Sequence, residues 1–100
     1  MAKLRVLIAS ESPLYRRSLS RMIADETHEV IQAQAGDEVV AYLKATDVDF
    51  CFLQDHLLDG SGLEICEQYS GDSVPIVIFS QDVTVETQAL DKGASGFLKL

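Results

Sequence analysis

Residues 47–64 read DVDFCFLQDHLLDGSGLE, an apolar run that passes into a polar, glycine-containing turn. From Phe50 to Leu53 every side chain is apolar. A strand with one wet face alternates apolar and polar residues, whereas an unbroken apolar run marks a strand covered on both faces, as in a parallel sheet. The turn holds Asp59, Gly60, Ser61 and Gly62, and Leu63, Ile65, Cys66 and Tyr69 then supply the apolar residues of a helix.

The same alternation extends in both directions. Lys3 to Ala9, KLRVLIA, is a short β-branched run suited to a first buried strand. Ser12 is a good N-cap and Pro13 fits the first helical position; Leu14, Tyr15, Leu19, Met22 and Ile23 recur at helical spacing, predicting a helix over 13–26. A weaker strand over 29–34 ends in a Gly-Asp turn, and Val39, Val40, Tyr42 and Leu43 support a short helix over about 38–45. VPIVIFS, residues 74–80, is a fourth strand with Pro75 at its start. Residues 83–92 make a helix closed by Gly93, and SGFLKL, residues 95–100, is a fifth strand. Strands alternating with helices over short loops imply right-handed β-α-β units and a doubly wound parallel α/β sheet.

In such a sheet the functional crevice lies at the carboxyl ends of the strands. Those ends carry Ser10 and Glu11, then Gln54, then Ser80, then Lys99 and Leu100. No glycine-rich loop follows the first strand, so a dinucleotide fingerprint and a P-loop are both excluded. One hundred residues are read as a single domain, 1–100, and a net charge of −8 argues against a nucleic-acid surface. No apolar run approaches the length of a membrane span, and the expected location is the cytoplasm. Cys51 and Cys66 lack metal or CxxC spacing and are read as small buried hydrophobes in a reducing compartment. His28 and His56 are isolated from plausible metal partners and are read as surface or loop residues.

Four stretches, in order, carry a family resemblance: VLIASESPLYRRSL, QDHLLDGSGLE, VPIVIFS and KGASGFL. Together they resemble the receiver domain of bacterial two-component response regulators, the CheY-like family, over nearly the whole chain. The resemblance implies a flavodoxin-like five-stranded parallel sheet of order 2-1-3-4-5. It also implies a site in which an acidic pair after strand 1 helps bind Mg²⁺. There an Asp at the tip of strand 3 takes a phosphoryl group from a phosphohistidine. A strand 4 Thr or Ser and a strand 5 Lys hold the acyl phosphate.

Counting back eight residues from Gly62 places Gln54, not Asp55, at the acceptor position. Ser10 stands for the first acid and Glu11 for the second; the lysine position is Leu100, with Lys99 one residue early. Ser80 and Phe97 occupy the family's hydroxyl–aromatic switch positions, Phe97 being read as a packed edge-strand aromatic. An amide oxygen cannot replace a carboxylate as the nucleophile, and Mg²⁺ is usually anchored by carboxylates, of which Glu11 alone remains as at most a weak ligand. Gln54 is expected to bond to backbone groups or to Ser10.

The expected function is therefore a phosphorylation-incompetent, receiver-like interaction module, not an enzyme and without a cofactor. The family's partners are histidine kinases, phosphotransfer proteins or an attached output domain, commonly met by helix 1. On that helix Arg16, Arg17 and Arg21 are the one basic cluster, read first as a solvated face. The alternative is a functional receiver that accepts phosphate on Asp55 with Mg²⁺ through a remodelled site. One residue along a strand reverses the side chain, so Asp55 is expected to point away from Glu11 as a solvated loop acid. A small-ligand binder of flavodoxin type is a third reading, weakened by the missing phosphate loop. The chain ends before the family's fifth helix, so an open apolar face and self-association or instability are expected.

Overall fold

The computed structural model describes residues 3–23, 25, 28–45, 47–71 and 74–100. Along the chain these form β1 (Leu4–Ala9), α1 (Pro13–Ile23), β2 (His28–Ala33), α2 (Gly36–Lys44), β3 (Phe50–Gln54), α3 (Gly62–Tyr69), β4 (Ile76–Ser80), α4 (Val85–Asp91) and β5 (Gly96–Lys99). The strands lie in the order β2-β1-β3-β4-β5, every neighbouring pair parallel, which is the expected flavodoxin-like topology. The apolar run thus becomes the central strand, β3, between β1 and β4. The turn after β3 carries an unforeseen antiparallel ribbon, His56–Leu57 against Gly60–Ser61.

Side chains alternate between two cores. Leu7, Ala9, Cys51, Leu53 and Ile78 face Val39 and Leu43 of α2, Cys66 and Tyr69 of α3, and Ala89 of α4. Val6, Ile8 and Phe79 face Leu19 of α1, with Tyr15, Ile23, Phe50 and Phe52 packed at the margin. Leu7, Ile8, Leu53, Ile78 and Phe79 are fully buried, each contributing roughly 1.5–3 kcal/mol of transfer free energy. Both cysteines are buried free thiols, as expected, and burial pushes Cys51 up to about 12, which keeps it unreactive. On the α1 face, Leu4, Val6, Ile23, Phe50 and Phe52 line an apolar groove of about 350 Å³. No helix among the described residues is long and apolar enough to cross a membrane.

Three helix ends lie two residues or more from the sequence reading, while the strands fall within two residues of theirs. Helix α1 ends at Ile23, and Asp25 instead bridges to His28 and accepts from its imidazole across 2.9 Å. The expectation of helix at 24 and 26 lies outside the described residues. Helix α4 starts at Val85 rather than 83, because the Asp82 carboxylate accepts from Thr84 N–H at 2.9 Å and from its hydroxyl at 2.6 Å, holding 83 and 84 in a turn. Gly93, at φ +92°, closes α4; a Cβ there would stand 2.4 Å from the Ser70 side chain.

The third difference is the start of α2, two residues earlier than expected. Its N-cap, Ala35, has no capping side chain, and the Asp59 carboxylate accepts from Gly36 N–H at 2.6 Å instead. That bond, with others from the Asp37 and Asp59 backbone, holds the Asp59 carboxyl below its ordinary value. A depressed carboxyl contributes stability that is complete above its unfolded pKa and is lost as pH falls through the folded one. The difference in stability between wild type and Asp59→Asn is therefore expected to be larger at about pH 7 than at about pH 2, read from paired urea melts.

Candidate functional site

The carboxyl ends of β1, β3 and β4 bring Ser10, Gln54 and Ser80 to one edge of the sheet. Ser10 is completely buried, and its hydroxyl donates to Gln54 Oε1. The Ser10 hydroxyl oxygen itself accepts from Ser12 N–H at 3.0 Å, closing a tight serine turn. Ser12 in turn accepts from Tyr15 N–H at 3.3 Å and caps α1, as its position in the sequence suggested. Ser80 repeats the device: it is buried, and its hydroxyl oxygen accepts from Asp82 N–H at 3.0 Å. Gly62 brings α3 close beneath this edge, for a Cβ there would stand 1.9 Å from the Gln54 carbonyl oxygen.

The tip of β3 is therefore occupied by a neutral, hydrogen-bonded amide, with Gln54 meeting Ser10 as expected. Glu11 is exposed and makes no polar contact among the described residues. Lys99 lies beside Ser80 in the β4–β5 register, its side chain exposed and likewise without a polar partner among the described residues. Phe97 is half-buried against the core beneath α2, α3 and α4, the packed position expected of it. The donor set does not fit Mg²⁺: two of the three positions offer neutral oxygens already bonded to one another, and the remaining carboxylate faces solvent. Among the described residues, no three His, Cys, Asp or Glu side chains gather into a metal-binding group.

Two expectations need correction. Arg16 is not part of a solvated basic face. Its guanidinium folds back to the Ser10 carbonyl at 2.6 Å and to Gln32 Oε1 at 3.3 Å, fastening α1 to the ends of β1 and β2. Arg17 and Arg21 remain exposed. Asp55 is not a solvated loop acid: it is 4% exposed. Its backbone continues the ladder, donating to Phe79 O at 3.2 Å and accepting from Gly62 N–H at 2.9 Å, so its side chain stays on the covered face with Cys51, Leu53 and Leu57.

The exposed imidazole of His56 brings Nε2 within 3.5 Å of the Asp55 carboxylate. Gln54, Asp55, His56, Ser80, Gln81 and Asp82 line one cleft of about 230 Å³. At its edge Gln81 Nε2 donates to the Tyr15 hydroxyl, tying the loop after β4 to α1. The sequence reading assigned neither Tyr15 nor Gln81 to the site; each is a polar group near a strand end, a signal too common to select them.

A family model, the response regulator receiver domain, matches residues 6–99, and the chain belongs to that family. It is thus a receiver domain of two-component signalling. The chain superposes on the signal receiver domain of NarL from Mycobacterium tuberculosis with a TM-score of 0.86 at 23% identity, covering 99% of this chain and 85% of that one. For the chemotaxis response regulator CheY4 of Vibrio cholerae the TM-score is 0.82 at 20% identity, with 98% and 87% covered. A response regulator from Burkholderia pseudomallei, solved with a phosphorylated aspartic acid, calcium ion and citrate, gives 0.83 at 21% identity and 97% coverage of this chain. The chain spans 59% of that protein's length. These likenesses establish the fold. No curated protein matches.

Because Ser10 satisfies both Gln54 Oε1 and Ser12 N–H, Ser10→Ala leaves two groups without their partner. The expected loss is roughly 1–3 kcal/mol in a urea melt, against near-neutral behaviour for an exposed control such as Ser18→Ala.

Proposed function

We propose that this receiver domain does not take a phosphoryl group and acts as a constitutive protein-interaction module in bacterial two-component or phosphorelay signalling. The observation that carries the reading is the Gln54–Ser10 hydrogen bond at the tip of β3. Phosphoryl transfer depends on a nucleophile and on cations that neutralise the transferred oxygens. Here the tip residue is an amide, Glu11 faces solvent and Lys99 has no partner at the site. The module would work in the cytoplasm, without catalysis or cofactor of its own. It would present its surfaces to a histidine kinase, a phosphotransfer protein or an attached output domain.

The exposed stripe of α1 suits such contacts, since Leu14, Arg17, Arg21 and Met22 all face solvent on that helix. The Ser80–Phe97 pair, lacking both a phosphoryl group and a phenol, would stay in one arrangement. A second reading has one observation in its favour: Asp55 lines the same cleft as Gln54 and Ser80. On that reading Asp55 is the acceptor and Mg²⁺ is its cofactor.

Incubation with Mg²⁺ and acetyl phosphate separates the two. The module reading expects no phosphate mass adduct; an adduct that disappears in Asp55→Asn would sink it and establish the second reading. The apolar groove formed by Leu4, Val6, Ile23, Phe50 and Phe52 supports a further part of the proposal, self-association of the 100-residue chain. Sedimentation is expected to show a concentration-dependent dimer that Phe52→Asp weakens. A monodisperse monomer at all concentrations would remove self-association from the reading.

A further inference from the structure

The apolar groove and the exposed stripe of α1 adjoin at the end of that helix. Ile23 lines the groove with Phe50 and Phe52, while its neighbour Met22 stands in solvent, 78% exposed. Leu14, Arg17, Ser18, Arg21 and Met22 recur at spacings of three and four residues, and all five are exposed. Leu14, 64% exposed, lies roughly 12 Å from Met22 along the axis, too far for either to cover the other. The groove has its own uncovered side chain in Leu4, 52% exposed.

The charges at the two surfaces are of opposite sign. Arg17 and Arg21 make no ion pair or hydrogen bond among the described residues. The polar lining of the groove is Asp49 and His28, and His28 already faces Asp25 at 2.9 Å. Asp49 is exposed and accepts from the Arg5 backbone N–H at 2.8 Å. The Arg5 guanidinium itself turns to Asp47 and Glu29, so the charge of Asp49 has no cation beside it among the described residues.

At a net charge of −8 two copies repel at a distance, so a contact between them has to bring unlike charges together. Seating α1 of each copy on the groove of the other does so, and a two-fold axis makes the pairing twice. Methionine suits the fit, since its flexible thioether fills irregular apolar surfaces and packs against aromatic rings. Phe50 and Phe52 present two such rings, with centroids 5.1 Å apart.

We propose that two copies of this chain pair about a two-fold axis, the α1 stripe of each seated on the groove of the other, with Met22 against Phe50 and Phe52 and Arg21 beside Asp49. The proposal rests on the self-association reading and names its contacts. In that dimer the stripe offered to a kinase or phosphotransfer protein is covered, so self-association and partner docking exclude one another.

The test mixes two samples of the 100-residue chain at a concentration where sedimentation shows the dimer. One is deuterated except for ¹³C-labelled methionine methyl groups; the other is unlabelled. Met1 and Met22 are the only methionines, and Met22→Leu identifies the Met22 signal. Nuclear Overhauser contacts from the Met22 methyl to aromatic ring protons are expected, and in this mixture they arise only between copies. Arg21→Glu is expected to weaken dimerisation by roughly tenfold, since two symmetry-related pairs become like-charged, and Asp49→Lys in the same chain to recover most of that loss. A dimer that lacks the methyl contacts, or one indifferent to Arg21→Glu, overturns the proposal and leaves self-association standing. A monomer at every concentration overturns both and assigns the groove to a different chain. The methyl measurement uses the unaltered interface, so a poorly folding Asp49→Lys does not shelter the proposal. Failure of the module reading is registered separately, by the phosphate adduct on Asp55.

Discussion

The arrangement at the strand ends depends on one constraint, the enclosure of β3 between β1 and β4 with helices packed on both sides of the sheet. A strand so placed cannot turn a polar side chain to water by simple alternation, because each face leads into a core. Polar groups at its end must be satisfied by what lies beside them. Gln54 and Asp55 are adjacent and fall on opposite faces, and so meet different surroundings. Gln54 finds Ser10, while Asp55 continues the inward row of Cys51, Leu53 and Leu57 and finds only an exposed imidazole.

The Gln54–Ser10 pair also changes the electrostatics of the edge. Clustered carboxylates repel one another and raise each other's pKa unless a cation joins them. A serine and a glutamine need only a hydrogen bond, which they make directly. The neighbouring ties are also local: Ser10 and Ser80 each close a turn on a backbone N–H two residues ahead, and Arg16 bonds the Ser10 carbonyl. The edge of the sheet is thereby knit together by the chain's own groups.

Much of the fold was legible in residue patterns. The unbroken run Phe50–Leu53, the alternation of short strands with helical spacing, and Gly93 after α4 each carry local information, and each element formed close to where that information put it. The position of Gln54 was legible because the apolar strand and the turn glycine fix it from opposite sides. The burial of Asp55 was misread through an incomplete use of the same rule: pointing away from Glu11 was equated with pointing to solvent. In a sheet covered on both faces, the other side is another interior. The early start of α2 could not be read locally at all, since its cap, Asp59, lies 23 residues from Gly36. The Arg16–Gln32 and Gln81–Tyr15 bonds were equally hidden, because their partners come from elements brought near only by folding.

Helix α1 joins the polar edge to the apolar groove. Its first turn carries Tyr15 and Arg16, bonded to Gln81 and to the Ser10 carbonyl, and its last residue, Ile23, lines the groove with Phe50 and Phe52. Eleven residues of helix span roughly 16 Å and behave as a stiff unit. Whatever fills the groove by displacing Ile23 must therefore bend α1 or shift it as a body. A shift strains the Arg16–Ser10 and Tyr15–Gln81 bonds at the other end. A bend breaks the helix ladder around Leu19, the one buried residue of α1. Both carry a cost, so the groove accommodates most readily an occupant that packs over Ile23 as it stands. The same stiffness fixes the spacing between the groove and the cleft at Asp55.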